Sequence, residues 1–258
     1  LAGWALSRCS GLFVGLKVVN ETAEMTETVR IDVDAYRFAD AGFSGQSVHI
    51  RKEFLSVMAQ DMRLVRDKMP IVHRFVQANR LDRIRWGAES PRFAIVAAGK
   101  TYGDVLSALA LLGIDDGQAA RLGIGIYKPA LIYPLEPGAL RALAATAEEL
   151  LFVEEKRAFM ETQAAALLYV DAHRPRIAGK RDPEGAMLLP EDVLLEPLAV
   201  AVAIARRLLA AALPTDVASH LAARLAELEA VVAASNAPPS AAVARRPAFC
   251  AGCPHSNS

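Results

Sequence analysis

Three residues near the end of the sequence have types and a spacing that could do chemistry: Cys250, Cys253 and His255. Two thiols in a C-x-x-C pair, with Gly252 between them, can turn both sulfur atoms toward one centre. Such a pair can be half of a zinc site, part of an iron–sulfur site or a redox dithiol. It can also be a turn that lines a site without binding a metal, and the sequence leaves these alternatives open. A metal site would use Cys250 and Cys253 as ligands.

Three other polar segments have residues that could form a site. Residues 99–103 follow a predicted strand and open a predicted helix, but they lack the glycine spacing of a P-loop or a dinucleotide fingerprint. Residues 154–156, Glu-Glu-Lys, follow another predicted strand, where paired carboxylates can act as acid and base. A simple strand–helix connection and a solvated strand end are the favoured interpretations. A solvated loop is likewise favoured over an anion site for the basic residues Arg174, Arg176, Lys180 and Arg181. The sequence assigns no catalytic residue.

The elements that must position these segments alternate along the middle of the chain. Residues 93–98 and 150–153 are short apolar runs, as expected of strands buried on both faces, and a bent strand region lies between them. A helix with one apolar face follows each strand. Three strand–helix repeats with short links predict an α/β fold, with a parallel sheet flanked by helices. The remaining patterns predict a half-buried strand at 29–33, a helix at 53–79 that is broken at Pro70, and helices at 191–213 and 215–234.

The bulk composition argues against several classes of function. Lys and Arg together number 29, as do Asp and Glu, so no basic field exists to attract nucleic acid or an anionic membrane. The apolar run at 194–213 is interrupted by charged residues, which argues against a transmembrane helix. Three cysteines are too few for a disulfide framework and favour a reducing compartment. We therefore expect a cytoplasmic protein that binds neither nucleic acid nor membrane.

Six short segments, taken in order, resemble the indolepyruvate ferredoxin oxidoreductases. These enzymes are a branch of the thiamine-diphosphate-dependent 2-oxoacid:ferredoxin oxidoreductases. The resemblance covers most of the chain, and it rests on the order of the segments more than on any one of them. The segments are Ala98-Gly99-Lys100-Thr101-Tyr102, Tyr127-Lys128-Pro129, Tyr133-Pro134-Leu135-Glu136-Pro137, Val153-Glu154-Glu155-Lys156-Arg157, Gly179-Lys180-Arg181-Asp182 and Phe249-Cys250-Ala251-Gly252-Cys253-Pro254-His255.

The resemblance implies a domain organisation. Its centre is an α/β domain like the C-terminal domain of transketolase, placed between two thiamine-binding domains. The chain then divides into the tail of a pyrimidine-binding thiamine domain at 1–33, a helical connector at 34–90, the transketolase C-terminal-like domain at 91–172, a loop and helical segment at 173–234, a linker at 235–248 and the start of a pyrophosphate-binding thiamine domain at 249–258.

The resemblance also implies an activity. The family oxidatively decarboxylates indolepyruvate or related arylpyruvates to acyl-CoA, with ferredoxin as electron acceptor. Its cofactors are thiamine diphosphate, magnesium and iron–sulfur clusters, including the 4Fe-4S type, and coenzyme A is a co-substrate. Cys250 and Cys253 would then be candidate cluster ligands, and His255 would lie near the cofactor diphosphate. The partners implied are the remaining domains of the same enzyme, ferredoxin, an arylpyruvate and further copies in a homo-oligomer.

Two other hypotheses remain open from the residues alone. The chain begins with Leu1, and little sequence follows the cysteine pair, which predicts an internal piece of a longer enzyme that serves as interdomain scaffold and is inactive alone. One alternative is a non-enzymatic α/β interaction module. The other is a small C-x-x-C thiol or metal protein.

Overall fold

The structure, a computed structural model, describes residues 1–32, 37–39 and 56–235. Helices and strands alternate through its central part, while the N-terminal part is helical. In chain order the elements are α1 Ala2–Ser10, α2 Asn20–Ala23, α3 Val57–Arg63, a π-helical turn Leu64–Lys68, α4 Met69–Ala78, β1 Arg83–Gly87, β2 Phe93–Ala97, α5 Lys100–Leu111, α6 Asp116–Leu122, β3 Ile124–Lys128, α7 Pro137–Ala144, β4 Glu149–Val153, α8 Met160–Leu168, β5 Arg176–Ala178, α9 Pro197–Leu209 and α10 Thr215–Ser235.

The strands form one sheet in the order β1-β3-β2-β4-β5. The pairs of β2 with β3, of β2 with β4 and of β4 with β5 are parallel, whereas β1 runs antiparallel to β3 at the edge. Every residue of β2 and β4 is buried, because helices cover both faces of these central strands. The predicted α/β class, with a parallel sheet flanked by helices, is confirmed for the four strands β2 to β5.

Alternate residues of β2 enter two different cores. Phe93, Ile95 and Ala97 pack with residues of α5, α9 and α10 on one face of the sheet. Ala94 and Val96 pack with residues of α7 and α8 on the other face. The sheet is therefore the middle layer of three, as the side-chain period of two in a strand requires.

The N-terminal helices form a smaller cluster of their own. Leu6 of α1 packs with Val72 and Phe75 of α4. The chain stays helical through Pro70, which lies in the first turn of α4, where its missing N–H costs little. None of the helices in the described ranges combines the length and the apolar character that crossing a bilayer requires.

The helix break predicted at Pro70 was therefore wrong, and so were four other local predictions. Residues 29–32 form no strand, and they are exposed. The strand β1 lies in the segment that was interpreted as a helical connector, and β5 lies where a loop was predicted. The helix predicted from residue 191 begins at Pro197. The strands β1 and β5 depend on pairing with distant strands, so the local pattern carries little signal for them, whereas the start of α9 follows the local rule that proline suits the first helical position.

Candidate functional site

The carboxyl ends of β2, β4 and β5 meet at one edge of the sheet, where open α/β sheets place most of their sites. Lys100 begins α5 at this edge, directly after Gly99, whose positive φ of 61° suits a residue without a side chain. The Lys100 ammonium donates to Asp104 at 2.9 Å, to Glu155 at 3.3 Å and to the backbone carbonyl of Leu195 at 2.8 Å. All three of its donors are used within the chain.

The charges around Lys100 shift two pKa values upward. Burial alone would lower the pKa of Lys100, but its hydrogen bonds with Asp104 and Glu155 outweigh burial and raise the pKa. Burial raises the pKa of Asp104, and the ion pair with Lys100 only partly opposes this, since Glu155 and Glu196 add negative charge nearby. The Lys100 ammonium is thus the cation paired with a cluster of carboxylates, of which Asp104, at 2.9 Å, is the closest.

A second lysine, Lys180, bonds backbone groups at the same edge. The buried Lys180 ammonium donates to the backbone carbonyls of Glu154, at 2.5 Å, and Pro190, at 3.1 Å. Burial lowers the pKa of Lys180, and the negative charge of Glu154, Glu155 and Glu161 opposes this effect. Because a neutral lysine would still donate to both carbonyls, these bonds persist in either protonation state.

Glu154 uses its carboxylate as a cap for the following helix. Its two oxygens accept from the backbone N–H groups of Phe159, Met160 and Glu161, at 3.2, 2.7 and 3.0 Å. These N–H groups open α8 and have no partner inside the helix, so a carboxylate there satisfies them and complements the helix dipole. Glu154 is therefore a helix cap and not a free acid or base.

Residues 187–196, which we name the edge segment, lie across this edge. Leu189 and Leu195 are fully buried and anchor it in the core. Glu155 accepts from the backbone N–H of Leu195 at 3.1 Å, and the two lysines bond its carbonyls as described above. The carboxyl edge of β2, β4 and β5 is consequently covered by the chain itself.

These contacts correct two expectations from the sequence. Glu154 and Lys180 were predicted to lie in a solvated strand end and a solvated loop, but both are buried. Lys156, Arg174, Arg176 and Arg181 are exposed, as expected. Residues 99–103 form the predicted strand–helix connection. Gly179 is the residue whose type could have indicated this close packing. A Cβ at Gly179 would lie 2.2 Å from the Glu161 carboxylate, so only glycine leaves room for Glu161 to accept from the backbone N–H of Lys180, at 3.1 Å.

A second buried polar group joins the segment that follows α4 to the loop after β3. Asp82 accepts from the backbone N–H groups of Ala130 and Leu131, at 2.7 and 3.3 Å. Its other oxygen is buried without a hydrogen-bond partner in the described part of the chain. Burial raises the pKa of Asp82. Burial also raises the pKa of the Tyr127 hydroxyl, and the negative charges of Asp82 and Glu136 raise it further. Glu136 is a cap of α7 and is also bonded by Gln77.

A buried ion pair lies at the opposite, amino edge of the sheet. Arg207 of α9 donates two parallel bonds to Glu149 at the start of β4, at 2.8 and 2.9 Å. Arg176 of β5 also contacts Glu149, at 3.3 Å. The hydrogen bonds with Glu149 raise the pKa of Arg207. This group ties α9, β4 and β5 together, and Arg207 also donates to Glu184, at 3.3 Å, in the loop after β5.

The residues that the sequence singled out for metal or cofactor binding are not among those that the structure describes. Cys250, Cys253 and His255 lie beyond residue 235, so their roles stay predictions. Cys9, which is described, is a free and half-buried cysteine on α1. Within the described ranges, no group of three or more His, Cys, Asp or Glu side chains is arranged to hold a metal ion.

Comparison with known proteins places the fold in context. No curated protein matches the chain at a significant level. One similar solved structure is a split-gene transketolase, as an inactive β4 tetramer. The sequence identity is 22%, the match covers 48% of this chain and 40% of that chain, and the TM-score is 0.34. Another is the 2-oxoglutarate:ferredoxin oxidoreductase from Magnetococcus marinus, with 2-oxoglutarate, coenzyme A and succinyl-CoA bound. The sequence identity is 14%, the match covers 66% of this chain and 26% of that chain, and the TM-score is 0.38.

The chain thus spans less than half the length of either solved protein, 40% of the first and 26% of the second. A family model described as the indolepyruvate oxidoreductase domain matches residues 83–235, from β1 to the end of α10. This match contains the whole sheet, the edge segment and the helices on both faces. It confirms the resemblance found in the sequence at the level of the family. Because the match covers more than half of the chain, the chain belongs to the indolepyruvate oxidoreductase domain family, a family of oxidoreductases.

Proposed function

We propose that this chain supplies the scaffold domain of a thiamine-diphosphate-dependent 2-oxoacid:ferredoxin oxidoreductase. The complete enzyme would decarboxylate an arylpyruvate such as indolepyruvate, transfer the acyl group to coenzyme A and pass the electrons to ferredoxin in the cytoplasm. The match of residues 83–235 to the indolepyruvate oxidoreductase domain carries this proposal. The choice of an arylpyruvate rests on the family resemblance of the sequence.

The bonding at the carboxyl edge supports the scaffold role. A general acid or base must have a polar atom free to reach the reacting group. The charged side chains of this edge instead bond within the chain. Lys100 donates to Glu155 and to the carbonyl of Leu195, and Glu155 also accepts from the Leu195 N–H. Glu154 caps α8 through its carboxylate, and Lys180 donates to the Glu154 carbonyl. On this proposal the domain holds neighbouring domains in register, and the reaction takes place elsewhere in the enzyme.

The described residues do not fit the cofactors of the family. Thiamine diphosphate is bound through magnesium, and a 4Fe-4S cluster needs four soft ligands. Residues 1–32, 37–39 and 56–235 present no group of carboxylates, histidines and cysteines for either. The ammonium groups of Lys100 and Lys180, two cations of the carboxyl edge that could meet a phosphate, already donate to the chain itself. We therefore assign these groups to other parts of the enzyme, with Cys250, Cys253 and His255 as proposed contacts.

The test is an activity assay on the complete enzyme with the Lys180→Met variant. If the domain is a scaffold, Lys180→Met lowers the melting temperature and the yield of folded enzyme, because two buried carbonyls lose their donor. The kcat of the folded fraction, measured as arylpyruvate- and coenzyme A-dependent reduction of ferredoxin, should stay within about twofold of wild type.

A control variant and two contrary outcomes sharpen the assay. Lys17→Met changes an exposed lysine and should alter neither quantity. A Lys180→Met enzyme with normal melting but kcat reduced by about a hundredfold or more would replace the scaffold role with a catalytic one. An enzyme that reduces ferredoxin with pyruvate or 2-oxoglutarate but not with any arylpyruvate would overturn the substrate assignment.

A further inference from the structure

We propose that the cavity between α6, α10 and the end of α5 binds a small zwitterion with an apolar side chain, such as a free aliphatic amino acid. Arg121 of α6 would hold its carboxylate, and Asp216 of α10 would hold its ammonium. Because α5 begins at the carboxyl edge and its 12 residues rise about 18 Å, this cavity lies at the opposite end of that helix. The inference goes beyond the proposed function and does not depend on it.

The cavity has the size of a small-molecule site and an aliphatic wall. Its volume is about 460 Å³, within the range of known ligand sites. Leu112, Ile114 and Leu221 form the wall, and each of these residues is at most 8% exposed. All three belong to the larger core of the domain. An aliphatic side chain in the cavity would therefore extend this core and leave water.

Hydrogen bonds hold the helices around the cavity in place. Arg224 of α10 donates to the backbone carbonyl of Leu111 at 2.7 Å, which fixes α10 against the end of α5. Asp116 of α6 accepts from the backbone N–H of Gly87 at 2.7 Å, which fixes α6 against β1. A ligand would therefore enter a cavity that is already formed, and little binding free energy would be lost in ordering its walls.

Two opposite charges line the cavity without pairing. Arg121 and Asp216 are exposed, and neither side chain forms a hydrogen bond or an ion pair with any residue of the described ranges. The Arg121 guanidinium lies back along α6, where a Cβ at Gly117 would be 3.5 Å from its Nη1 atom. Since the two charges face one space but do not bond each other, a ligand that carries both charges can bridge them.

Gly113 and His220 add a further point of recognition. The φ of Gly113 is 72°, so a residue with a side chain would be strained there, and a Cβ would lie 3.6 Å from Nε2 of His220. The His220 imidazole also lines the cavity, and it bonds to no residue that the structure describes. It is therefore available as a hydrogen-bond partner for the ligand, beside backbone that no side chain covers.

Charge decides which class of ligand fits. A simple carboxylate would bond Arg121 but would be repelled by Asp216, and a simple amine would meet the opposite problem. A phosphate ester carries only negative charge and would also leave Asp216 facing a like charge. A zwitterion satisfies both side chains, and an aliphatic substituent covers the apolar wall. The cavity therefore favours an aliphatic amino acid over an acid, an amine or a phosphate.

Three matched ligands test this assignment in NMR titrations of the 258-residue chain. They are L-leucine, 4-methylpentanoate, which is leucine without its ammonium, and 3-methylbutylamine, which is leucine without its carboxylate. L-leucine should bind with a Kd of about 1 mM or lower, and the other two at least about tenfold more weakly. The backbone amide signals of Gly113 and Val217, which line the cavity, should shift as leucine is added.

Two variants should change these affinities in different ways. Arg121→Gln should weaken the binding of leucine at least about tenfold, because the carboxylate loses its cation. Asp216→Asn should also weaken leucine, but it should strengthen 4-methylpentanoate, because the charge that repels this ligand is gone. The controls are Arg157→Gln and Asp192→Asn, which change exposed residues that do not line the cavity and should leave both affinities unchanged.

Circular dichroism should show that all four variants melt like the wild type, because the substituted side chains are exposed. The absence of a saturable shift with leucine up to about 20 mM would overturn the proposal. So would 4-methylpentanoate binding as tightly as leucine, or an Arg121→Gln variant that binds leucine normally. An Asp216→Asn variant that weakens both ligands equally would contradict the role given to Asp216.

Discussion

Arg206 and Arg207 are neighbours on α9 with opposite environments. Arg207 is buried and holds Glu149 with two bonds, whereas Arg206 pairs with Glu229 in the exposed groove between α9 and α10. Removing one partner of a buried ion pair leaves an uncompensated buried charge, while an exposed pair gains little. The two arginines therefore separate the effect of burial from the effect of charge.

We expect Arg207→Met to lower the free energy of unfolding by about 3 kcal/mol, since the buried Glu149 then keeps only the half-exposed Arg176, at 3.3 Å, as a cationic partner. Arg206→Met should lower it by less than about 1 kcal/mol. Urea unfolding of both variants measures the difference. Equal losses would contradict the structural role assigned to the Glu149–Arg207 pair.

Asp82 makes the stability of the chain depend on pH in an unusual direction. Burial raises its pKa above the unfolded value, so the protonated form is favoured in the folded state. The stability that this group contributes is fully present below the unfolded pKa of about 3.9, and it is lost as pH rises through the higher folded pKa. Burial has the opposite effect on His73, whose lowered pKa makes stability fall as the solution becomes acidic below about pH 6.5.

The Asp82→Asn variant isolates the first of these effects. The Asn oxygen can still accept from Ala130 and Leu131, but the side chain no longer titrates. Relative to wild type, the variant should gain stability as pH rises from about 4 toward neutrality. Because His73 is present in both proteins, its contribution cancels in the difference. Urea midpoints at a series of pH values test this, and a difference that stays flat or falls with pH would refute the assignment.

At the scale of elements, strands and helices in this chain use glycine for different reasons. Gly125 lies within β3, where a Cβ would come within 2.6 Å of the backbone oxygen of Ala88. Gly103 lies on the exposed side of α5, and a Cβ there would meet no heavy atom within 4 Å. Glycine at the first position allows the chain after β1 to approach the sheet closely, while glycine at the second only weakens the helix.

We expect Gly125→Ala to lower the unfolding free energy by about 2 kcal/mol, because the atom it would strike belongs to the backbone and cannot move cheaply. Gly103→Ala should raise it by about 0.5–1 kcal/mol through helix propensity. Thermal melts of the two variants give the comparison. A stabilised Gly125→Ala protein would show that β1 does not pack against β3 as the structure has it.

At the scale of the whole molecule, the described residues build a three-layer domain whose buried charged side chains bond to groups of the same chain. The lysines of the carboxyl edge and the ion pair of the amino edge connect the central strands to the helices and to the edge segment. We therefore expect the 258-residue chain alone to bind neither thiamine diphosphate with magnesium nor a stable iron–sulfur cluster.

Two measurements check this expectation. Titration calorimetry should detect no heat of thiamine diphosphate binding, and anaerobic reconstitution should leave no visible absorbance from a cluster. Tight cofactor binding would mean that this chain holds more of the cofactor site than its described residues show. A cluster that forms in the wild-type chain and is lost in Cys250→Ser would identify that cysteine as a ligand.

The sequence by itself determined the central part of the fold and the family. The runs around Phe93 and Leu150 and the apolar faces of α5, α7 and α8 are local patterns, and local patterns decide whether a segment becomes a strand or a helix. The ordered series of short motifs pointed to the oxidoreductase family that the comparison later matched. Of the proposed binding residues, Cys250, Cys253 and His255 remain predictions from sequence alone.

Only the tertiary structure decided which charged residues are buried and what they bond. Glu154 and Lys180 are far apart in sequence, and Glu149 and Arg207 are 58 positions apart, so no local pattern couples them. Their environments depend on the strand order, which places β4 between β2 and β5 and brings the edge segment back over the lysines. The short strands β1 and β5 also form only through pairing with β3 and β4. Burial is a property of the assembled layers, and for that reason charged segments that look solvated in the sequence became internal connections in the fold.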